Sequence, residues 1–189
     1  MNEKIEGYNA WWQENKQQIE AALTDAFEVD CSKLFSEMTC NISLNPISPR
    51  YLEEKSFEVF YLNSPKGALG MSLHEIIHFV WFYVWNQVFH DDYSEYERPS
   101  MKWILSEMVV ECIMKDTRLS SINPYFPREN GGCIYSYFFD MKVGEQLILD
   151  VIEEMYKKCT IQDFMKNSYA FCLEHEQEIR VHIEESEKK

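Results

Sequence analysis

The sequence lacks any Cys-x-x-Cys pair, which excludes a zinc ribbon built from two such pairs. Its N-terminus, Met-Asn-Glu-Lys-Ile-Glu, also lacks the apolar stretch of a secretory signal peptide. We therefore expect a cytoplasmic protein whose cysteines stay reduced and lie mostly in or near the core. These cysteines are Cys31, Cys40, Cys112, Cys133, Cys159 and Cys172.

Positive charge is scarce as well. Lys and Arg total 18 against 32 Asp and Glu, which gives a formal net charge of −14. An acidic surface of this size repels the phosphates of nucleic acids and of anionic lipids. We therefore expect neither nucleic acid nor a membrane as a main partner.

The sequence also has no uninterrupted apolar run of membrane-spanning length, which is about 20 residues. The most apolar segment is Met71–Phe89, but it carries His74, Glu75 and His78 in its first half and two polar residues near its end. Its unbroken apolar part, Phe79–Trp85, is only seven residues long. A buried core helix is therefore favoured over the alternative, an intramembrane helix.

What the sequence does contain is material for a sizeable core, because 46% of its 189 residues are hydrophobic and 15% are aromatic. This length predicts a single domain over residues 1–189. Hydrophobic spacing and turn signals predict an α+β fold, in which a small sheet precedes a helical majority. The predicted strands are Cys40–Leu44 and Ser56–Asn63, and Ser121–Cys133 is a predicted loop. The predicted helices are Glu3–Phe27, Pro49–Lys55, Met71–Phe89, Pro99 or Ser100 to Lys115, Val143–Lys158, and Ile161–Glu185 with Thr160 as its cap.

One motif indicates a metal-binding site. This motif is His74-Glu75-Ile76-Ile77-His78, which has the pattern HExxH. Residues four apart lie one above the other on a helix, so both imidazoles are aimed at one point. This arrangement suits a tetrahedral zinc ion, with Glu75 beside a zinc-bound water as the general base. The plainer interpretation, in which both histidines only cap or pack the helix, stays open.

A catalytic zinc ion normally has three protein ligands, so a third ligand is needed. The extension HExxHxxGxxH is absent, because Trp81 and Val84 stand where Gly and His are required. A glutamate further along the chain remains. The candidates are Glu97, in the polar connection before Pro99, and Glu107, on the next helix.

The segment Ser106-Glu107-Met108-Val109-Val110-Glu111 resembles the NExxSD-like pattern that follows HExxH in the gluzincins, the family of thermolysin-like peptidases and related aminopeptidases. It departs from that pattern at three positions, where Ser, Val and Glu replace Asn, Ser and Asp. The resemblance covers about Phe57–Lys115 and implies a zincin-like fold with HExxH on the active-site helix. It also implies Glu107 as the third zinc ligand and Glu111 as the acid that supports a ligand histidine. Two alternatives stay open: Glu111 as the ligand, and a solvated helix face for both acids.

The resemblance further implies a tyrosine or histidine that stabilises the developing oxyanion. Tyr135 and Tyr137 are the candidates, together with Tyr125. The sequence thus predicts a zinc metallopeptidase, a hydrolase that cleaves peptide or protein substrates. The alternatives are a non-catalytic zincin-like domain that binds a metal or a protein partner, and an intramembrane metalloprotease.

Overall fold

The computed structural model describes residues 2–124 and 127–188, and it is mostly helical (66%) with a small mixed sheet. This confirms the α+β class predicted from the sequence. The strands are β1 (Thr39–Ser43), β2 (Arg50–Tyr51), β3 (Ser56–Phe60), β4 (Lys142–Val143) and β5 (Gln146–Leu147). The helices are α1 (Asn2–Phe27), α2 (Ser32–Glu37), α3 (Pro65–Phe89), α4 (Met101–Lys115), α5 (Thr117–Ser120), α6 (Ile148–Lys158), α7 (Ile161–Glu174) and α8 (Glu176–Glu187).

Contacts along the chain define two compact units. The first comprises Met1–Tyr83 with Asp116–Pro124, and the second comprises Val84–Lys115 with Tyr125–Lys189. The prediction of one domain over residues 1–189 stays a prediction.

The first unit contains the three-stranded sheet, whose order is β1-β3-β2. Strand β3 pairs in parallel with β1 and antiparallel with β2. Its alternating side chains Phe57 and Val59 are buried, and the Phe57 ring lies 6.2 Å from that of Phe79 on α3. The sheet therefore packs its apolar face against the helix that carries HExxH.

The prediction of a helix over Pro49–Lys55 is wrong. Arg50 and Tyr51 form strand β2 instead, and Glu58 donates its backbone N–H to the Pro49 carbonyl at 2.9 Å. Lys55, with φ of 50°, lies in the left-handed region and ends any helical continuation. The pairing with β3 thus outweighs the helix-start signal at Ser48-Pro49.

Helix α3 begins at Pro65, six residues before the predicted start at Met71. Ser64 caps it, because its Oγ accepts the backbone N–H of Gly67 at 3.0 Å. Proline is suited to the first helical position, where its missing N–H has no intrahelical partner to lose. The motif HExxH consequently lies more than two turns inside a helix, on backbone that is fixed on both sides.

In the second unit, α4 follows the prediction closely. Its first turn is capped by Ser100, whose Oγ accepts the Trp103 N–H at 3.1 Å. Every residue of α4 from Met101 to Met114 is buried, including Glu107 and Glu111. The alternative in which both acids occupy a solvated helix face is therefore wrong.

Two predicted helices at the end of the chain are shorter than expected. Val143 belongs to the hairpin β4-β5, where Gly144 has a φ of 60°, and α6 begins only at Ile148. The last predicted helix is divided into α7 and α8 at His175. Its predicted start is confirmed, because Thr160 Oγ1 accepts the Asp163 N–H at 3.3 Å.

All six cysteines lie in the described residues, and they form no disulfide bond there. Burial raises the pKa of five of these thiols. The pKa reaches about 11 for Cys31 and Cys40 and about 12 for Cys133 and Cys172, and it is also raised for Cys112.

Among the described residues, no helix combines the length and apolar character that crossing a membrane requires.

Candidate metal centre

The two histidines of HExxH meet on one face of α3. Their Nε2 atoms are 3.2 Å apart, and their ring centroids are 4.9 Å apart with an interplanar angle of 65°. His78 is fully buried and His74 is 9% exposed. The spacing of four residues therefore directs both imidazoles to one point, as the sequence predicts.

This separation can be compared with the geometry of a tetrahedral zinc ion. Zn–N bonds of about 2.0–2.1 Å at tetrahedral angles separate two nitrogen ligands by about 3.3 Å. The observed 3.2 Å between the Nε2 atoms fits that value. The two imidazoles thus have the spacing of a shared metal ion, although one imidazole could also donate a hydrogen bond to the other at this distance.

Glu107 completes a group that could hold a metal ion. His74, His78 and Glu107 each offer one ligand atom, and these atoms lie within 4.8 Å of one another. All three residues are buried, with Glu107 2% exposed. A buried carboxylate and two buried imidazoles need compensation for their lost hydration, which a cation would provide. The identity of the third ligand and of the metal stays a prediction.

The other two candidates for the third ligand are placed differently. Glu97 is exposed, directly after the short 3-10 helix Tyr93–Tyr96. Glu111 lies one turn beyond Glu107 on α4 and is outside the group found among the described residues. Of the three glutamates, Glu107 therefore has the best position for a ligand.

Glu75 lies beside the histidine pair. Its Oε1 is 4.0 Å from His74 Nε2, and its Oε2 is 3.6 Å from an NH1 nitrogen of Arg50. The side chains of Glu75 and Arg50 are only 5% and 13% exposed. Arg50 was not identified from the sequence. This residue reaches Glu75 on α3 only because β2 pairs with β3, and β3 packs on α3. A basic residue next to a strand signal is a weak clue, and no local pattern connects it to HExxH.

Glu111 has partners other than the predicted ligand histidine. Its Oε1 accepts hydrogen bonds from Arg128 Nε at 2.9 Å and NH2 at 2.5 Å, and it lies 2.9 Å from Lys115 Nζ. Burial alone would raise the pKa of Glu111, but these hydrogen bonds hold it below its ordinary value. A guanidinium supplies two converging N–H groups and so satisfies a buried carboxylate more fully than an imidazole does.

This buried pair gives a stability prediction. Arg128→Met should lower the free energy of unfolding by about 3 kcal/mol at neutral pH, because it leaves a buried carboxylate with Lys115 as its remaining partner. Denaturant unfolding measures the effect. Lys158→Met is the control, since Lys158 and its partner Glu154 are 71% and 59% exposed and an ion pair in that environment adds little to stability.

The pH dependence of the same variant has a defined sign. Because the pKa of Glu111 is lowered in the folded state, its stabilisation is present above the unfolded-state pKa of about 4.3 and is lost as the pH falls through the folded value. The difference between the wild type and Arg128→Met should therefore shrink in acid. Equal stability of the two chains at pH 7 would contradict the importance of the pair.

The tyrosine candidates differ in exposure. Tyr135 is 44% exposed, whereas the hydroxyl of Tyr137 is buried and has no hydrogen-bond partner among the described residues. Burial is the main cause that raises the pKa of Tyr137, and the nearby charge of Glu107 adds to it. Tyr137 is thus the candidate whose neutral hydroxyl is held near a residue of the metal-binding group. Tyr125 lies outside the described residues.

Of the predicted site residues, His74, His78 and Glu107 are brought together, and Glu75 lies beside the histidines. Comparisons of the chain with family models, with curated proteins and with solved structures gave no match.

Proposed function

We propose that this chain is a gluzincin-like zinc metallopeptidase that hydrolyses peptide bonds, with His74, His78 and Glu107 as zinc ligands. The buried group of two imidazoles and one carboxylate carries the proposal. It has the donor set of a catalytic zinc site, in which three protein ligands leave a fourth position open. The finer fold assignment, a zincin-like domain, belongs to the same proposal and is supported by the packing of the sheet on α3.

The position of Glu75 favours catalysis over a purely structural metal site. A structural zinc site is closed by four protein ligands and needs no additional carboxylate between two of them. Glu75 lies 4.0 Å from His74 Nε2 and is 4% exposed, and this position beside the histidines supports its assignment as the base. This is the feature that separates the peptidase from a non-catalytic metal-binding domain.

The chemistry of the side chains follows from their placement. When bound, zinc would polarise the scissile carbonyl and make the attacking water more acidic. Glu75 would accept the water proton at Oε1, while Arg50 keeps Oε2 in position from 3.6 Å. The Tyr137 hydroxyl would donate a hydrogen bond to the developing oxyanion, as the resemblance to gluzincins implies.

The substrate class is a peptide or a protein, since the acidic chain offers little to nucleic acid. A cytoplasmic location is part of the proposal, and it agrees with cysteines that form no disulfide bond among the described residues.

The direct test is the metal content. Protein purified without metal-affinity resin should contain one zinc per chain by elemental analysis, and His78→Ala should contain none in stoichiometric amount. His175→Ala is the control, because this histidine separates α7 from α8 and is not in the metal-binding group. Wild-type protein that lacks zinc and takes up none on dialysis against it would contradict the proposal.

A further inference from the structure

A cavity of about 130 Å³ lies in the first unit, with walls from α1, α2, the sheet and α3. On α3 it is lined by Ala68, Ser72 and Ile76, which recur every four residues and so share one face of the helix. His74 and His78 each follow a lining residue by two positions, which turns them by about 200° around the helix axis. The cavity is therefore on the opposite side of α3 from the histidine pair.

The lining of the cavity is apolar and aromatic. None of the described residues that line it is charged. The lining includes five aromatic side chains and two sulfur atoms, from Tyr8, Trp11, Trp12, Phe35 and Phe57 and from Met38 and Cys40. An ionised ligand would lose its hydration here and gain no counter-charge, so the ligand must be neutral.

Two polar groups of the wall already have partners within the protein. The Tyr8 hydroxyl lies 2.5 Å from the carbonyl oxygen of Asn63 and donates to it, and Ser72 Oγ donates to the Ala68 carbonyl at 2.9 Å. Because these two groups are satisfied without a ligand, shape and apolar contact contribute most to what binds.

The size of the cavity limits the ligand further. An apolar cavity of about 150 Å³ stays dry and accommodates benzene in another, engineered protein. Rings that line a cavity favour planar aromatic guests, which they contact by offset stacking or edge-to-face packing. Trp12 and Phe35 already pack in this way against each other, with nearly parallel rings (10°) whose centroids are 6.2 Å apart, so the wall presents aromatic surface to a guest.

We propose that this cavity is a binding site for a small, neutral, planar aromatic molecule of about the size of benzene or indole. The site is separate from the candidate metal centre and does not depend on the proposed peptidase activity. Asn9 and Cys40 line the cavity and are exposed, so part of its wall is in contact with solvent. Binding is non-covalent, because benzene and indole carry no electrophilic group that the Cys40 thiol in the wall could attack.

The test uses indole as the probe and a variant that fills the cavity. Indole should bind the wild type saturably, and Ala68→Leu should weaken its affinity at least tenfold, because the larger side chain occupies the ligand's volume. Ala10→Leu is the matched control: it adds the same atoms at an exposed position of α1 that does not line the cavity. Its affinity for indole should equal that of the wild type.

A second measurement does not depend on the variants. In backbone amide NMR spectra, the shifts caused by indole should concentrate at Leu69, Ser72 and Ile76 and on β3, rather than at the opposite face of α3. Imidazole, a smaller planar ring that is largely protonated at pH 6, should cause no saturable shifts at these residues. Shifts concentrated elsewhere, equal affinity of indole for Ala68→Leu, or no saturable binding to the wild type would each overturn the proposal.

Discussion

Glu75→Gln should retain zinc and reduce the rate of peptide hydrolysis by about 10²–10⁴-fold, the usual contribution of a general base. The amide has the size of the carboxylate but cannot accept the proton of the attacking water. The carboxylate lies 4.0 Å from His74 Nε2, so its replacement changes the chemistry beside the histidines without removing either of them. Cleavage of a broad library of fluorogenic peptides, with zinc content measured on the same samples, gives both quantities.

Glu58→Gln is the matched control for this variant, because it makes the same replacement on β3 of the same unit, away from the histidine pair. It should hydrolyse peptides at the wild-type rate. If Glu75→Gln is as active as the wild type, the assignment of the base is wrong. A wild-type chain that holds zinc and cleaves no peptide would favour the non-catalytic metal site.

Glu107→Gln should lower the affinity for zinc by more than about 100-fold. Loss of a residue that only supports a metal ligand typically costs 10–100-fold, and loss of a direct ligand costs more. The replacement keeps the shape of the side chain at a position that is 2% exposed, so the effect on packing is small. Competition with a chromogenic chelator measures the affinity.

Glu97→Gln serves as the comparison, since Glu97 is another candidate that the sequence offers for the third ligand and is exposed. Its zinc affinity should be unchanged. Loss of zinc from Glu97→Gln with full retention by Glu107→Gln would refute the choice of the third ligand and leave the peptidase class standing.

The elements that the sequence predicts well are those whose ends are fixed by neighbouring residues. Helix α4 begins after Ser100, and α7 begins after Thr160, because each cap side chain accepts an N–H only three residues away. Strand β2 was predicted as a helix because its two residues are strands only through their partners on β3. The local sequence pattern around Arg50 and Tyr51 does not predict this strand pairing.

The same distinction applies to the candidate site. The convergence of His74 and His78 follows from a spacing of four within one helix, and the structure reproduces it. Arg50, by contrast, reaches Glu75 from a strand 25 positions earlier, and Arg128 reaches Glu111 across a 17-residue separation. These contacts depend on how separate elements pack, so no local sequence motif could predict them.

The raised pKa values of the buried thiols have a practical consequence for handling the protein. The thiolate is the form that binds metals, exchanges with disulfides and reacts with peroxide. Cys31, Cys112 and Cys172 are both buried and protonated at neutral pH, and Cys40 and Cys133 share the raised pKa. The three buried side chains, Cys31, Cys112 and Cys172, should therefore resist air oxidation and should not scavenge added zinc. Measurements of zinc content should use a monothiol or phosphine reductant, because dithiols chelate zinc and would themselves empty the site being assayed.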